Sequence, residues 1–182
     1  PFEKGYNKAL KGKHEKAIEL YTKAINNYPA PSAALNNRGL SKAALNRHQE
    51  AIEDYDNALL DLSKCLELEP ENAEYYTDRA SVYHAIKKYD LALADYEKAF
   101  ELALDNDVKT RVINDRAIFY SDQGDDELAA AEYTRAIEID PKEPLYYSNR
   151  GRTYYYDLGD QEKALSDFNT AVALAKENDN KN

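Results

Sequence analysis

The chain has 182 residues, 24 of them Lys or Arg and 34 Asp or Glu, for a formal net charge of −10. That acid excess argues against nucleic acid and against anionic membranes as partners, since both are bound by a field of Lys and Arg. The length suits one domain or one continuous repeat array, and 43% hydrophobic residues suffice for a core, which argues against global disorder.

No run approaches the roughly 18 apolar residues of a membrane span. Residues 1–20 hold no apolar stretch of the signal type. A cytoplasmic location is the default expectation. Met is absent, which reads as a processed or excised piece. The lone Cys65 can form no internal disulfide. The odd count is Tyr, at 16.

A repeated trio, Ala-x-x-x-Tyr-x-x-Ala, explains part of that excess. Its copies are Ala17/Tyr21/Ala24, Ala51/Tyr55/Ala58, Ala92/Tyr96/Ala99, Ala129/Tyr133/Ala136 and, with Phe, Ala164/Phe168/Ala171. Their starts lie 34, 41, 37 and 35 residues apart. Periods of this size are the signature of repeat architectures. A second element precedes four trios: Asn37-Arg38-Gly39, Asp78-Arg79-Ala80, Asp115-Arg116-Ala117 and Asn149-Arg150-Gly151. Gly5 holds the matching place in the first copy.

In chain order, the units read as residues 1–31, 32–72, 73–109, 110–143 and 144–175, with a polar tail at 176–182. Each reads as two helices. In the third, residues 73–86 carry apolar or aromatic side chains at Tyr76, Ala80, Val82 and Tyr83. Lys87 to Asp90 makes the turn, and residues 91–104 repeat Ala92, Leu93, Tyr96, Ala99 and Phe100 at helical spacing. Turns carry Gly12, Gly124 and Gly159. Pro29, Pro31, Pro70, Pro141 and Pro144 fall between units, where helices end. No segment alternates as a strand does, so the fold reads as all-α. Small residues let paired helices approach to roughly 8–10 Å. One pair cannot bury its apolar face alone, so stacked pairs make the core.

These features together resemble the tetratricopeptide-repeat (TPR) family: the period near 34, the Gly or Ala, the following Tyr83, Tyr120 and Tyr154, the trio, and the closing Pro29, Pro70 and Pro141. The resemblance covers about residues 1–175. It implies a right-handed superhelical solenoid of antiparallel helix pairs, five repeats long. The departures are local. The first repeat lacks its opening residues. The second has seven extra, which predicts a second helix from about Gln49 to Glu69, with Leu59, Leu62 and Leu66 kept in phase because seven residues make two turns. The third has three extra around 104–108, and the fifth has one in the 156–159 turn.

The resemblance also implies a concave groove, lined by the first helices, for an extended peptide or a helix of a partner. In groove-binding relatives, Asn and cationic side chains hold the ligand. The slots matching that pattern are Asn37, Asp78, Asp115 and Asn149, with Asn36, Thr77, Asn114 and Ser148 before them. Leu40, Ser81, Ile118 and Arg152 follow, then Ala43, His84, Ser121 and Tyr155, with Asp122 and Tyr156 alongside. Arg111 lies near the start of its helix on that side. Asn both donates and accepts, which suits a peptide backbone, whereas an ionised Asp only accepts. The Lys/Asn/Arg clamp by which some TPR proteins grip acidic chaperone tails is not met. Its slots hold Phe2 and Tyr6, Ala33 and Asn37, and Glu74 and Asp78. A basic or neutral ligand, or a helix with an apolar stripe, is expected instead.

The four Arg residues have a structural explanation. An acid precedes each trio aromatic in the same repeats: Asp54, Asp95, Glu132 and Asp167. Arg–carboxylate pairs across each helix pair are expected. Chemistry is not. His14 and His48 occupy equivalent turn positions in neighbouring repeats, at a stacking distance of roughly 10 Å that cannot share a zinc with bonds of about 2 Å. There is no phosphate loop or nucleophile elbow. No catalytic residue, metal or cofactor is expected.

The sequence therefore reads as a protein-interaction scaffold without enzyme activity. A second expectation is self-association. After residue 174 the chain turns polar and offers no further helix to cover Leu165, Phe168 and Val172, so a homo-oligomer through that face, or a segment of a larger protein with a regulatory or targeting role, are the alternatives.

Overall fold

The computed structural model describes residues 1–27 and 31–179. Pro29, read above as a closing proline, lies outside them, as do Tyr28, Ala30 and residues 180–182. Ten α-helices are present among the described residues: α1 (Phe2–Ala9), α2 (His14–Ile25), α3 (Ser32–Ala44), α4 (His48–Leu68), α5 (Ala73–Ala85), α6 (Tyr89–Leu102), α7 (Asn106–Gln123), α8 (Asp126–Ile139), α9 (Pro144–Arg152) and α10 (Gln161–Asp179). No strand occurs among the described residues. The helices form two compact units, Pro1–Leu102 with three helix pairs and Ala103–Asn182 with two.

Within a pair the helices run antiparallel, as the ion pairs show. Arg38 meets Asp54 at 2.7 Å, while Lys42, one turn later on α3, sits 3.9 Å from Glu50, one turn earlier on α4. The turn inside each pair has a fixed design. Gly12, Asn46, Lys87, Gly124 and Gly159 all have positive φ, between 61° and 81°. Each stands five residues before its trio. Gly takes that conformation freely and Asn tolerates it. Lys87 shows that the register of the pair imposes it even without them. Tyr89, read as a turn residue, is the first residue of α6.

The small residues do what their spacing predicts. All five trios are buried at their Ala positions, none more than 8% exposed. A Cβ added at Gly39 would sit 2.6 Å from the ring of Tyr55, and one at Gly151 2.9 Å from that of Phe168. Aromatic ring and missing side chain are therefore one contact, repeated along the chain.

The four expected Arg–carboxylate pairs are all formed. Arg38–Asp54, Arg79–Asp95, Arg116–Glu132 and Arg150–Asp167 close at 2.7, 2.6, 2.7 and 2.8 Å. Three are two-pronged, with Nε and Nη2 on separate carboxylate oxygens, the geometry that makes Arg–carboxylate bonding strong. Two of the guanidinium groups also lie between tyrosines. Arg79 faces the rings of Tyr76 and Tyr83, and Arg150 those of Tyr147 and Tyr154, at 5.4–6.0 Å. These cation–π contacts give the repeat tyrosines a second task beyond filling space.

The extra residues are absorbed in three ways. In the second repeat they lengthen α4 to 21 residues, within one residue of the expected bounds, and Leu62 and Leu66 are buried. In the third they add a turn at the start of α7, capped by Asp105, which accepts the Val108 N–H at 2.8 Å. In the fifth the turn itself keeps its usual length, contrary to expectation. The extra residue lies in a π-helical turn, Thr153–Asp157, that continues α9. There the Leu158 N–H donates five residues back to the Thr153 carbonyl at 3.0 Å. A wide turn holds one more residue than an α turn. That is why Arg150 and Asp167 are 17 apart while the other pairs are 16 apart.

Candidate functional site

Side chains facing away from the paired second helix are the candidates for contact. In the first unit, α3 offers Asn37, whose Nδ2 donates to its own helix at Ala33 O, 2.8 Å away. One turn on, Leu40 is 46% exposed, a large apolar side chain left to solvent. Asn36 is buried, and its side-chain carbonyl has no partner. The matching Thr77 is also buried and bonds back to Ala73 O at 2.9 Å. This slot points into the packing between neighbouring pairs. On α5, Asp78 and His84 are half-buried. The His84 ring lies 6.2 Å from that of Tyr89, across the turn.

In the second unit, α7 and α9 are joined side by side. Asn149 Nδ2 donates to Asn114 Oδ1 at 3.2 Å, and Asn114 Nδ2 donates to Asp115 Oδ1 at 3.4 Å. Burial holds the Asp115 carboxyl above the usual range, and the Asn114 hydrogen bond and the charge of Arg111, four residues earlier, only partly offset it. A group whose folded pKa is raised lends stability below its unfolded pKa and loses it as pH rises through the folded value. The Asp115→Asn variant is therefore expected to unfold at a higher temperature than the parent at neutral pH. The gap should close near pH 3, where the carboxyl is protonated in both states. Thermal melts at the two pH values check this, and an equal gap at both would refute it.

Beside this ladder lies an open cavity of about 390 Å³. From α7 it takes Ile118, Ser121 and Asp122, and from α8 the buried Tyr133. From α9 come Asn149 and Arg152, and from the π turn Thr153, Tyr156 and Asp157. Tyr156 is 74% exposed and stands edge-on to Tyr155, their rings 4.9 Å apart. Burial above all pushes the Tyr133 hydroxyl up to about 12; Arg152 pulls it down, while Asp115, Asp122 and Asp157 push it further up. Asp126 is bonded by the Ser121 hydroxyl at 3.4 Å. Its carboxyl is raised by burial first, then by Asp157. Carboxylates thus crowd this end of the unit.

The cavity brings together Ile118, Ser121, Asp122, Asn149, Arg152 and Tyr156 from the sequence candidates. Asn114 and Asp115 adjoin it through the amide ladder. Arg111 lies a turn before Asp115 on α7, exposed, and Tyr155 stands at the rim. Tyr133, Thr153 and Asp157 were not expected. The signal for the last two was the single extra residue of the fifth repeat. Among the described residues no cluster of three or more His, Cys, Asp or Glu side chains is placed to hold a metal ion. Cys65 is half-buried, and burial first, then Asp61 and Glu69, push its thiol up, away from the thiolate that nucleophilic chemistry requires. No described helix is long and apolar enough to cross a membrane.

Comparison with known proteins agrees with the helix-pair architecture. Sequence models of the tetratricopeptide repeat match residues 2–30, 31–105, 119–155 and 145–178. Among solved structures, a crystal structure of MamA is 23% identical, with 97% of this chain and 96% of that one aligned at a TM-score of 0.61. BtubC from P. vanneervenii is 20% identical over 96% of this chain and 78% of its own, at 0.58. YrrB, described as a TPR protein with an unusual peptide-binding site, is 22% identical over 95% and 84%, at 0.51. At these identities the likeness concerns the fold.

Proposed function

Because this chain belongs to the tetratricopeptide-repeat family, a family of protein-interaction scaffolds, we propose that it binds an extended peptide or a helix of a partner protein along its first helices. The observation that carries this is the character of those faces. They leave Leu40 and Ile118 46% and 44% exposed, one on each unit, beside amide and carboxylate groups of Asn37, Asp78, Asn114, Asp115 and Asn149. Apolar side chains next to donors and acceptors suit a peptide whose backbone is hydrogen-bonded and whose side chains are seated in pockets. Arg111, Arg152, His84, Tyr155 and Tyr156 are the further contacts in this reading, and Asn36 acts from beneath. The repeats are those given by the spacing of the trios, residues 1–31 through 144–175. The partner is protein, not an acidic chaperone tail, and the chain has no catalytic task.

The test is selection of a random displayed-peptide library on the immobilised chain. Selected peptides are expected to bind the parent and to lose at least tenfold in affinity to the double variant Asn37→Ala, Asn149→Ala, with its circular dichroism unchanged. Undiminished binding to the variant refutes the reading.

One observation favours a second reading, self-association. On α10, Leu165 and Val172 are 62% and 54% exposed. Phe168 is not part of that face. It is half-buried against Gly151.

A further inference from the structure

We infer that the cavity of the second unit receives a lysine or arginine side chain of the bound segment, its cation set between Asp122 and Asp157 and its stem against Ile118 and Tyr156. The inference rests on the groove reading above and specifies the chemistry of one of its pockets.

Size comes first. A volume of about 390 Å³ lies at the lower end of the roughly 300–1,000 Å³ of small-molecule sites. That is room for one long side chain with water, not for a stretch of peptide. Shape comes next. The walls are an aliphatic side chain from α7 and an aromatic one from the π turn, and the floor is the buried ring of Tyr133. In the third repeat the corresponding tyrosine, Tyr96, meets the Ser81 hydroxyl at 3.3 Å. Ile118 replaces that serine beside Tyr133, so the wall there is apolar. An apolar wall with charge at the mouth suits a side chain with a methylene stem and a charged head.

Charge decides which head. Asp122 and Asp157 line the cavity against a single cation, Arg152, with Asp126 bonded to the lining Ser121 and Asp115 close behind. All three lining charges are exposed, so a ligand reaches them without unpacking the core. An incoming carboxylate would meet more like charge than opposite charge. An incoming ammonium or guanidinium relieves the repulsion and gains charge-assisted hydrogen bonds, with the electron-rich face of Tyr156 beside it.

The π turn is the independent observation. It supplies Thr153, Tyr156 and Asp157 to the wall. Such turns recur at functional sites. Each α-helical residue advances about 100°, so the extra residue re-aims the side chains that follow it. Tyr156 and Asp157 of this turn both line the cavity.

The experiment uses the full, isotope-labelled chain and four probes: acetyl-arginine amide, acetyl-lysine amide, acetyl-norleucine amide and acetyl-glutamate amide. Saturable amide shifts are expected at residues 118–123 and 152–158 with the two basic probes, weaker at high salt. They should fall at least tenfold in affinity in the variant Asp122→Asn, Asp157→Asn. Equal shifts with norleucine or glutamate, or no saturable shift with either basic probe, overturn the inference. A second arm separates it from the broader reading. If library-selected peptides lose affinity in the asparagine-to-alanine groove variant yet bind Asp122→Asn, Asp157→Asn as tightly as the parent, the groove stands and the cation pocket falls. If no peptide is selected while the basic probes still saturate, the pocket stands and the groove reading falls.

Discussion

Asp54→Ala is expected to destabilise the first unit by about 3–5 kcal/mol, the range for removing one partner of a buried ion pair. Asp54 is 2% exposed and serves two cations. Arg38 grips it through Nε and Nη2 at 2.9 and 2.7 Å, and Lys42 Nζ lies 2.9 Å away. Lys42 is itself only 8% exposed. Without the carboxylate, Lys42 keeps the Glu50 carbonyl at 3.4 Å and Arg38 keeps Thr22 Oγ1 at 3.0 Å. Arg38 would then lose its carboxylate, and Lys42 would be left with the Glu50 carboxylate, 46% exposed and 3.9 Å away. Asp95→Ala is the comparison, because Asp95 pairs with an Arg79 about as exposed as Arg38 (22% and 18%), while Tyr83 stands at the position that corresponds to Lys42. Repeat arrays do not unfold strictly in two states, so hydrogen exchange across residues 32–68 is the measurement. A loss of protection in Asp54→Ala no larger than that of Asp95→Ala at its own pair would refute the argument.

Leu62→Ala is expected to cost about 2–5 kcal/mol, the range for emptying a buried leucine site. Leu62 is fully buried in a cluster with Tyr55, Ala58 and Val82, with Leu59 and Ile86 packed against it. It stands in the stretch that the seven extra residues add to α4. The prediction therefore asks whether that extension is part of the core. Leu68, six residues on and 83% exposed, provides the control. Leu68→Ala should change stability by no more than about 0.5 kcal/mol. Urea titration of the two variants against the parent checks both. Similar small losses would mean that the end of α4 frays without consequence.

The repeat itself was legible in the sequence because its signals are redundant. Gly or Ala, Arg, the acid and the aromatic recur together, and each predicts a contact that the fold contains. The long α4 was legible for a related reason, since a seven-residue addition preserves helical phase. The single extra residue of the fifth repeat was less so. Its presence could be counted, but a loose turn and a wide helical turn fit the count equally. What separates them is backbone hydrogen bonding, which has no side-chain signature here. The cavity was mostly legible. Ile118, Ser121, Asp122, Asn149, Arg152 and Tyr156 follow from the slots of the first helices, whereas Tyr133 belongs by sequence to the repeat signature and gave no sign of lining anything. Asn36 illustrates the limit of slot reasoning. Asn114, at the same register, bonds to Asn149, while Asn36 is covered over.

The π turn bears on how such a chain can change length. A residue inserted into a regular helix rotates everything after it by about 100°, which would carry a whole downstream face out of alignment. Here the following turn still carries its left-handed Gly159, and Arg150 still finds Asp167 at 2.8 Å. The disturbance is quarantined within five residues, Thr153–Asp157. A repeat can therefore accept an added residue, remodel one patch of its surface, and pass an unaltered frame to the helix that follows.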